Sequence, residues 1–148
     1  MFTIRVRKLA ATGFAAALVG GLALAVSPLS AEAATHTCNG YKATIVGTNG
    51  NDDIVGTSGR DVIVALGGHD EIEGRGGNDI ICAGSGNDEV EGGSGNDWID
   101  AGSGHDEVDG DSGNDVIRGG SGHDTLEGGS GKDTIYGGSG NDHIEGDS

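Results

Sequence analysis

One aliphatic side chain recurs at every ninth residue through most of this chain. Each aliphatic and its two neighbours predict a very short β-strand, because alternate side chains of a strand point to opposite faces. The period runs without insertion or deletion from Gly47 to Glu145, which gives eleven blocks of nine residues. The aliphatic column consists of Ile54, Ile63, Ile72, Ile81, Val90, Ile99, Val108, Ile117, Leu126, Ile135 and Ile144.

Two polar columns stay in phase with the aliphatic one. Every block has Gly at its fourth position and Asp at its sixth, and the general pattern is G-G-x-G-x-D-x-U-x, where U is aliphatic. Glycine allows positive φ and close approach of the backbone, so the first six residues of a block predict a tight turn. A turn followed by a strand, repeated in phase, predicts a parallel solenoid rather than a disordered acidic tail.

Composition limits what else the chain can be. The 148 residues include 32 Gly, 1 Pro and only 3% aromatic residues, which leaves too little apolar volume for a conventional core. Collagen is excluded because the glycines do not fall at every third residue. The net charge of −16 excludes nucleic acid as a partner, since its phosphates are also negative. Cations or basic surfaces are the expected partners.

The predicted solenoid needs a further source of stability. One buried aliphatic per block does not offset the entropy of ordering so many residues, and stacking the turns would bring the aspartates together. A cation bound in the turns answers both problems. Ca²⁺ takes roughly 6–8 oxygen ligands in flexible geometry, whereas Mg²⁺ requires a strict octahedron and keeps its waters. The turns, which offer carboxylates and backbone carbonyls, therefore favour Ca²⁺.

The N-terminal residues have a different character from the repeat. Basic residues (Arg5, Arg7 and Lys8), an apolar run and an Ala-Glu-Ala site before Ala34 predict a secretory signal peptide over residues 1–33. The alternative is an uncleaved membrane anchor, since the apolar run is only just long enough to span a bilayer. We therefore expect a secreted, extracellular protein with no stable membrane insertion after the signal is cleaved.

Individual blocks resemble a known family. Residues 92–100 (GGSGNDWID) and 119–127 (GGSGHDTLE) resemble the RTX, or haemolysin-type, calcium-binding nonapeptide repeat. The resemblance implies an all-β fold, a parallel β-roll (right-handed β-solenoid) of 11 nonapeptide repeats over residues 47–148, with 18 residues per turn. It also implies that the aliphatics fill the interior and that Ca²⁺ lies between stacked turns, up to about nine ions in all.

The implied calcium ligands are the sixth-position carboxylates and the carbonyls of turn glycines. The carboxylates are Asp52, Asp61, Asp70, Asp79, Asp88, Asp97, Asp106, Asp115, Asp124, Asp133 and Asp142. The glycines at the second position are Gly84, Gly93, Gly102, Gly120 and Gly129, and those at the fourth are Gly86, Gly95, Gly104, Gly113, Gly122 and Gly131.

The early blocks depart from the repeat at their second position. Thr48, Thr57, Leu66 and Arg75 replace glycine there, as Asp111 does in a later block. Side chains at this position crowd a turn that needs unusual φ. The more regular sites are therefore expected between residues 83 and 142.

The 18-residue turn places odd and even blocks on opposite sheets with different outward residues. The odd blocks present acids, namely Asp53, Glu71, Glu73, Glu89, Glu91, Glu107, Asp109, Glu127 and Glu145. The even blocks present a largely apolar face, interrupted by Asp100 and Arg118, that contains Val62, Val64, Ile80, Cys82, Trp98, Val116 and Tyr136. Such a stripe usually marks a contact, either with the chain itself or with a partner.

The N-terminal segment 34–46 is expected to cover part of this apolar face. The chain has two cysteines, and two cysteines in a secreted protein suggest a disulfide, here Cys38–Cys82. The bond would clamp residues 41–46 over the first turns. Trp98, Val116 and Tyr136 would stay uncovered, as a candidate face for self-association or for a cell-envelope partner.

Three histidines share the fifth position of odd blocks. His105 and His123 are expected to stack in adjacent turns. A zinc site is one interpretation, and a solvated turn position filled by Asn in other blocks is the other. The Asn at this position elsewhere favours the second.

These observations predict a secreted, non-enzymatic calcium-binding protein that is disordered without Ca²⁺ and folds when the ion binds. The alternative is a calcium-dependent adhesion or interaction protein that uses the apolar face. Ice binding is disfavoured, because the turns present mixed residues rather than flat ranks of Thr and Asn. No catalytic set of residues stands apart from the repeat, so we expect no enzyme activity.

Overall fold

The computed structural model of this protein describes residues 35–146. The predicted signal peptide, residues 1–33, lies outside these residues. Between residues 35 and 146 every regular element is a β-strand, and no helix there is long and apolar enough to cross a membrane.

One sheet is built from the odd blocks and is called here the acidic sheet. Its strands contain three residues each and pair in parallel in the order β14-β12-β10-β8-β6-β4. Glutamate and aspartate side chains dominate its outward positions, as the sequence predicts. The strands are β4 (Asp53–Val55), β6 (Glu71–Glu73), β8 (Glu89–Glu91), β10 (Glu107–Asp109), β12 (Thr125–Glu127) and β14 (His143–Glu145).

The second sheet, the apolar sheet, is built from the even blocks and one earlier strand. It pairs in parallel in the order β13-β11-β9-β7-β5-β3. Its later strands run on into the following turn and contain six residues. The strands are β3 (Ile45–Val46), β5 (Val62–Val64), β7 (Ile80–Ser85), β9 (Trp98–Ser103), β11 (Val116–Ser121) and β13 (Thr134–Ser139).

The register of both sheets is one turn of 18 residues. Val90 pairs with Val108 in the acidic sheet and Ile81 with Ile99 in the apolar sheet. The aliphatic column therefore stacks on itself from both sides and forms one continuous core between the sheets, in which Ile63, Ile99 and Leu126 are fully buried. The predicted all-β parallel roll with two blocks per turn is confirmed, and it has about six turns.

A short hairpin packs on the outside of the apolar sheet. It consists of β1 (Thr37–Cys38) and β2 (Tyr41–Lys42), which pair antiparallel, and β1 contacts β5 and β7. A disulfide joins Cys38 to Cys82 with their Cα atoms 5.9 Å apart, so the predicted pairing is confirmed. Around it lies a second apolar cluster of buried residues, namely Cys38, Ala43, Val62, Val64 and Ile80.

Not all of the N-terminal segment acts as a cover. Ile45 and Val46 form a strand of the apolar sheet itself, paired with Ile63 and Val64. Ile45 is buried in the main core because it lies nine residues before Ile54 and thus extends the aliphatic column by one step. Tyr41 is 49% exposed, and the guanidinium of Arg60 lies 4.5 Å from the centre of its ring.

Candidate metal centre

The sixth-position aspartates form two buried lines, one along each row of turns. From Asp52 to Asp124 each residue is at most 5% exposed. Asp133 and Asp142, in the last two blocks, are half-buried. Each carboxylate follows a glycine-rich turn and precedes a strand, so the repeat itself fixes its place.

One carboxylate oxygen of each aspartate links neighbouring turns. Oδ1 of Asp70 accepts a hydrogen bond from the backbone N–H of Asp52, one turn earlier, at 2.8 Å. The same bond recurs at every step up to the one from Asp124 to Asp142, at 3.2 Å. Sequence reasoning assigned these carboxylates to metal alone and missed this second role, for which the fixed spacing of 18 residues was the available signal.

The other oxygen has no partner in most of the turns. Within the described part of the chain, Oδ2 is buried and accepts no hydrogen bond in eight consecutive blocks. A buried carboxylate oxygen without a donor is costly, because it has lost water and gained nothing in return. The eight residues are Asp70, Asp79, Asp88, Asp97, Asp106, Asp115, Asp124 and Asp133.

The buried position of these carboxyls raises the pKa of several of them. Burial away from water raises the pKa of Asp97 to about 7, and the nearby charges of Asp79 and Asp115 raise it further against the opposing hydrogen bond from Asp79. Burial is also the main cause that raises the pKa of Asp70, Asp79 and Asp106 to about 6. These groups are therefore harder to ionise than an exposed aspartate, and a cation bound beside them would favour the ionised form.

The turn carbonyls divide into two kinds. At the second position, the carbonyls of Arg75 and Gly93 accept backbone N–H groups from Ser94 and Ser112 in the next turn, at 2.8 and 2.9 Å. At the fourth position, those of Gly86 and Gly104 accept no hydrogen bond among residues 35–146. The fourth-position carbonyls are thus the freer of the two predicted sets of backbone ligands.

Position four requires glycine for a steric reason. Gly95 has φ of 137°, and a Cβ on it would collide with the carbonyl oxygen of Gly77 in the turn before. At the second position, Leu66, Arg75 and Asp111 adopt positive φ despite their side chains. These turns therefore have the unusual φ that the sequence predicts, and the three residues adopt it although it is unfavourable for residues with a side chain.

The fifth position forms a hydrogen-bonded ladder of its own. Nδ1 of His105 accepts the backbone N–H of His123 at 2.9 Å, and Oδ1 of Asn87 accepts that of His105 at the same distance. The His105 and His123 rings stack with centres 5.1 Å apart. Because Nδ1 is engaged in the ladder, His and Asn play the same role here. Within residues 35–146 no three His, Cys, Asp or Glu side chains come together as a metal-binding group.

The candidate interaction face is only partly open. Trp98 is half-buried and packs against the cluster beneath the N-terminal hairpin, so it is less exposed than the sequence suggests. The guanidinium of Arg118 lies 5.6 Å from the ring centre of Trp98 and 5.8 Å from that of Tyr136. Tyr136 is 55% exposed, and Val116 is half-buried.

Comparison with protein families agrees with this geometry. The family model described as "RTX calcium-binding nonapeptide repeat (4 copies)" matches residues 46–81, 83–117 and 118–148. The chain belongs to this RTX family. No curated protein and no solved structure matches the chain. The RTX assignment therefore stands on the repeat itself and on the buried aspartate lines that the repeat produces.

The residues of this RTX roll fit calcium. Each loop from Asp70 to Asp133 supplies a buried carboxylate oxygen without a donor, and the fourth-position carbonyls of Gly86 and Gly104 accept no hydrogen bond among residues 35–146. This donor set contains only oxygen, which suits a hard cation. Because each loop offers one sixth-position carboxylate rather than a cluster of side chains, backbone oxygens would have to complete the coordination shell of the ion. RTX repeats bind calcium, and Ca²⁺ is the expected partner of this chain.

Proposed function

We propose that this chain is a secreted, non-enzymatic calcium-binding protein whose roll folds when Ca²⁺ enters the turns. One observation carries the proposal, namely the eight consecutive buried Oδ2 atoms that accept no hydrogen bond. Within residues 35–146 none of these carboxylates forms a salt bridge, and a divalent cation would supply the missing positive charge. Calcium thereby turns a repulsive arrangement into a stabilising one.

Binding and folding are coupled in this proposal. The loops that hold the ions do not exist in the unfolded chain, so the free energy of binding contributes to the free energy of folding. Extracellular calcium modules bind in the range of about 10⁻⁴–10⁻³ M, far above the free Ca²⁺ of a cytoplasm. The chain would therefore stay unfolded before export and fold outside.

Calorimetric titration of the purified, oxidised protein with Ca²⁺ tests the binding. We expect several ions per chain and a heat-capacity change that reports burial of apolar surface. Binding of one ion or none would contradict the proposal. The intact mass of protein collected from the culture medium tests secretion, since loss of residues 1–33 is expected.

A second candidate is an interaction protein that uses the exposed end of the apolar sheet. The observation that favours it is the stack of Arg118 between Trp98 and Tyr136, a basic and aromatic patch on an otherwise acidic molecule. The double variant Val116→Glu/Tyr136→Glu should abolish self-association or surface retention in Ca²⁺. The matched control is Thr125→Glu, at an exposed position of the acidic sheet. Equal molar mass and retention in all forms would exclude this function.

A further inference from the structure

The loops of the first two blocks differ from those of Asp70 to Asp133 in the hydrogen bonds that their aspartate accepts. The backbone N–H of Thr48 donates to Oδ2 of Asp52 at 2.6 Å, and that of Thr57 donates to Oδ2 of Asp61 at 2.7 Å. The two threonine hydroxyls approach the same oxygens at 3.1 and 2.9 Å. Asp52 and Asp61 therefore already have the donors that the eight carboxylates further along the chain lack.

The difference has a local cause in the second position of the block. Later blocks take positive φ there, for example 96° at Gly93 and 104° at Gly102, whereas Thr48 and Thr57 do not. A β-branched residue strongly disfavours positive φ, so the turn adopts the other conformation. The threonine hydroxyl then also accepts the N–H of Gly50 or Gly59, both at 3.1 Å, which closes the loop on itself.

The strand that follows the second loop, β5, and its neighbour β7 also carry apolar packing on their outer side. Val62, Val64 and Ile80 are buried on the outer side of the apolar sheet under the hairpin, in addition to the main core inside. The Cys38–Cys82 disulfide ties this cover to the sheet. Burial on both faces supplies a stabilisation that does not depend on a cation.

We propose that the loops of the first two blocks are a calcium-independent base of the roll, in which Thr48 and Thr57 stand in for the ion at Asp52 and Asp61. The first calcium-binding loop is then that of Asp70. In a repeat protein each turn is stabilised mainly by its neighbours, so a preformed first turn provides the surface on which the calcium-dependent turns assemble. This inference deepens the proposed function and assigns Asp52 and Asp61 a structural role.

Hydrogen exchange in a calcium chelator tests the base directly. In the oxidised protein we expect amides of β3 to β5 to be protected at least tenfold more than those of β9 to β13. The double variant Thr48→Gly/Thr57→Gly, which restores the glycine of later blocks, should lose that difference. Thr48→Ser/Thr57→Ser keeps the N–H and the hydroxyl and should behave as the wild type. Equally fast exchange at both ends of the wild-type chain would overturn the inference.

Counting bound ions by native mass spectrometry gives a second readout. The Thr48→Gly/Thr57→Gly variant should bind more Ca²⁺ than the wild type, because Oδ2 of Asp52 and Asp61 becomes free, whereas the serine variant should bind the same number. If the glycine variant and the wild type bind the same number of ions, the inference that threonine takes the place of an ion at these loops is contradicted. If the chain binds no Ca²⁺, the proposed function is contradicted instead. Hydrogen exchange in chelator would still show whether the first two loops form a calcium-independent base.

Discussion

The backbone N–H of Asp97 donates a 2.7 Å hydrogen bond to Oδ1 of Asp115, one turn further on, while Oδ2 of Asp115 accepts none. The two oxygens of one carboxylate therefore have separate tasks. Oδ1 sets the register between turns, and Oδ2 is left for a cation. This division accounts for aspartate at this position from Asp70 to Asp133, whereas at Asp52 and Asp61 the second oxygen accepts a hydrogen bond from a threonine.

Replacing one such aspartate by asparagine should separate the two tasks. In Asp97→Asn the amide oxygen can still accept the inter-turn hydrogen bond, but the charge and the free Oδ2 are lost. We expect the Ca²⁺ midpoint of folding to rise about tenfold, which corresponds to ~1.4 kcal/mol, while the metal-free chain becomes no less stable. Asp61→Asn serves as the control, because its carboxylate is satisfied by Thr57. An equal rise in both variants, measured by circular dichroism, would refute the assignment.

Metal-free stability should fall as the pH rises. Asp97 has an ordinary pKa of 3.8 when unfolded and about 7 in the roll, so between these values the folded state holds more protons than the unfolded one. Unfolding then releases protons, and stability decreases with pH through this window. The contribution of Asp97 is fully present below about pH 4 and is lost above about pH 7. Saturating Ca²⁺ should remove this dependence, because the ion binds the ionised carboxylates.

Circular dichroism in chelator between about pH 5 and pH 8 measures this effect as a loss of β signal with rising pH. The charges of His69 and His105 act on the pKa of Asp70 and Asp106, so the variant His69→Asn/His105→Asn/His123→Asn is the proper background. Asparagine already accepts the same hydrogen bond in this column, since Oδ1 of Asn51 and of Asn87 accepts the backbone N–H of His69 and of His105, both at 2.9 Å. Metal-free stability that increases with pH in this background would show that the buried carboxyls are not the cause.

Reducing the disulfide should destabilise the N-terminal turns. The bond closes a loop with a sequence separation of 44 residues, for which loop entropy gives about 4 kcal/mol of stabilisation. Cys38→Ser/Cys82→Ser should lower the free energy of unfolding in Ca²⁺ by a comparable amount. It should also speed amide hydrogen exchange in β5 and β7 more than in β13. Detection of free thiols in the untreated protein would contradict the pairing.

Glycine at the fourth position should tolerate no side chain. Gly95→Ala places a methyl group against the carbonyl of Gly77 at a φ that only glycine adopts readily, and such strain costs about 1–3 kcal/mol. A Cβ on Gly146 meets nothing within 4 Å, so Gly146→Ala is the matched control. We expect thermal unfolding in Ca²⁺ to shift for the first variant only. Identical melting of both variants would argue against the close stacking of turns.

Much of the fold follows from the nine-residue period, because the period leaves little freedom. Register, the two sheets and their opposite surfaces all derive from stacking Ile81 on Ile99 and its equivalents. The disulfide could be predicted because Cys82 faces outward on the apolar sheet, within reach of the segment that contains Cys38. Ile45 was missed as a strand residue since the glycine and aspartate columns stop at Gly47, although its spacing from Ile54 carried the signal.

The site was less predictable than the fold. The pattern marks every sixth-position aspartate as equivalent, yet Asp52 and Asp61 are satisfied by neighbouring threonines while Asp70 is not. That difference depends on whether the second residue of the turn adopts positive φ, which the repeat pattern does not encode.

Calcium titration followed by circular dichroism and by Trp98 fluorescence tests the coupling of calcium to folding most directly. Trp98 reports on the centre of the roll, since it is half-buried on β9 between earlier and later turns. We predict a cooperative gain of β signal and a change in Trp98 emission at millimolar Ca²⁺ or below, with no equivalent transition in Mg²⁺ at the same concentration. A β signal that is already complete in chelator, or that Mg²⁺ produces equally well, would contradict calcium-dependent folding.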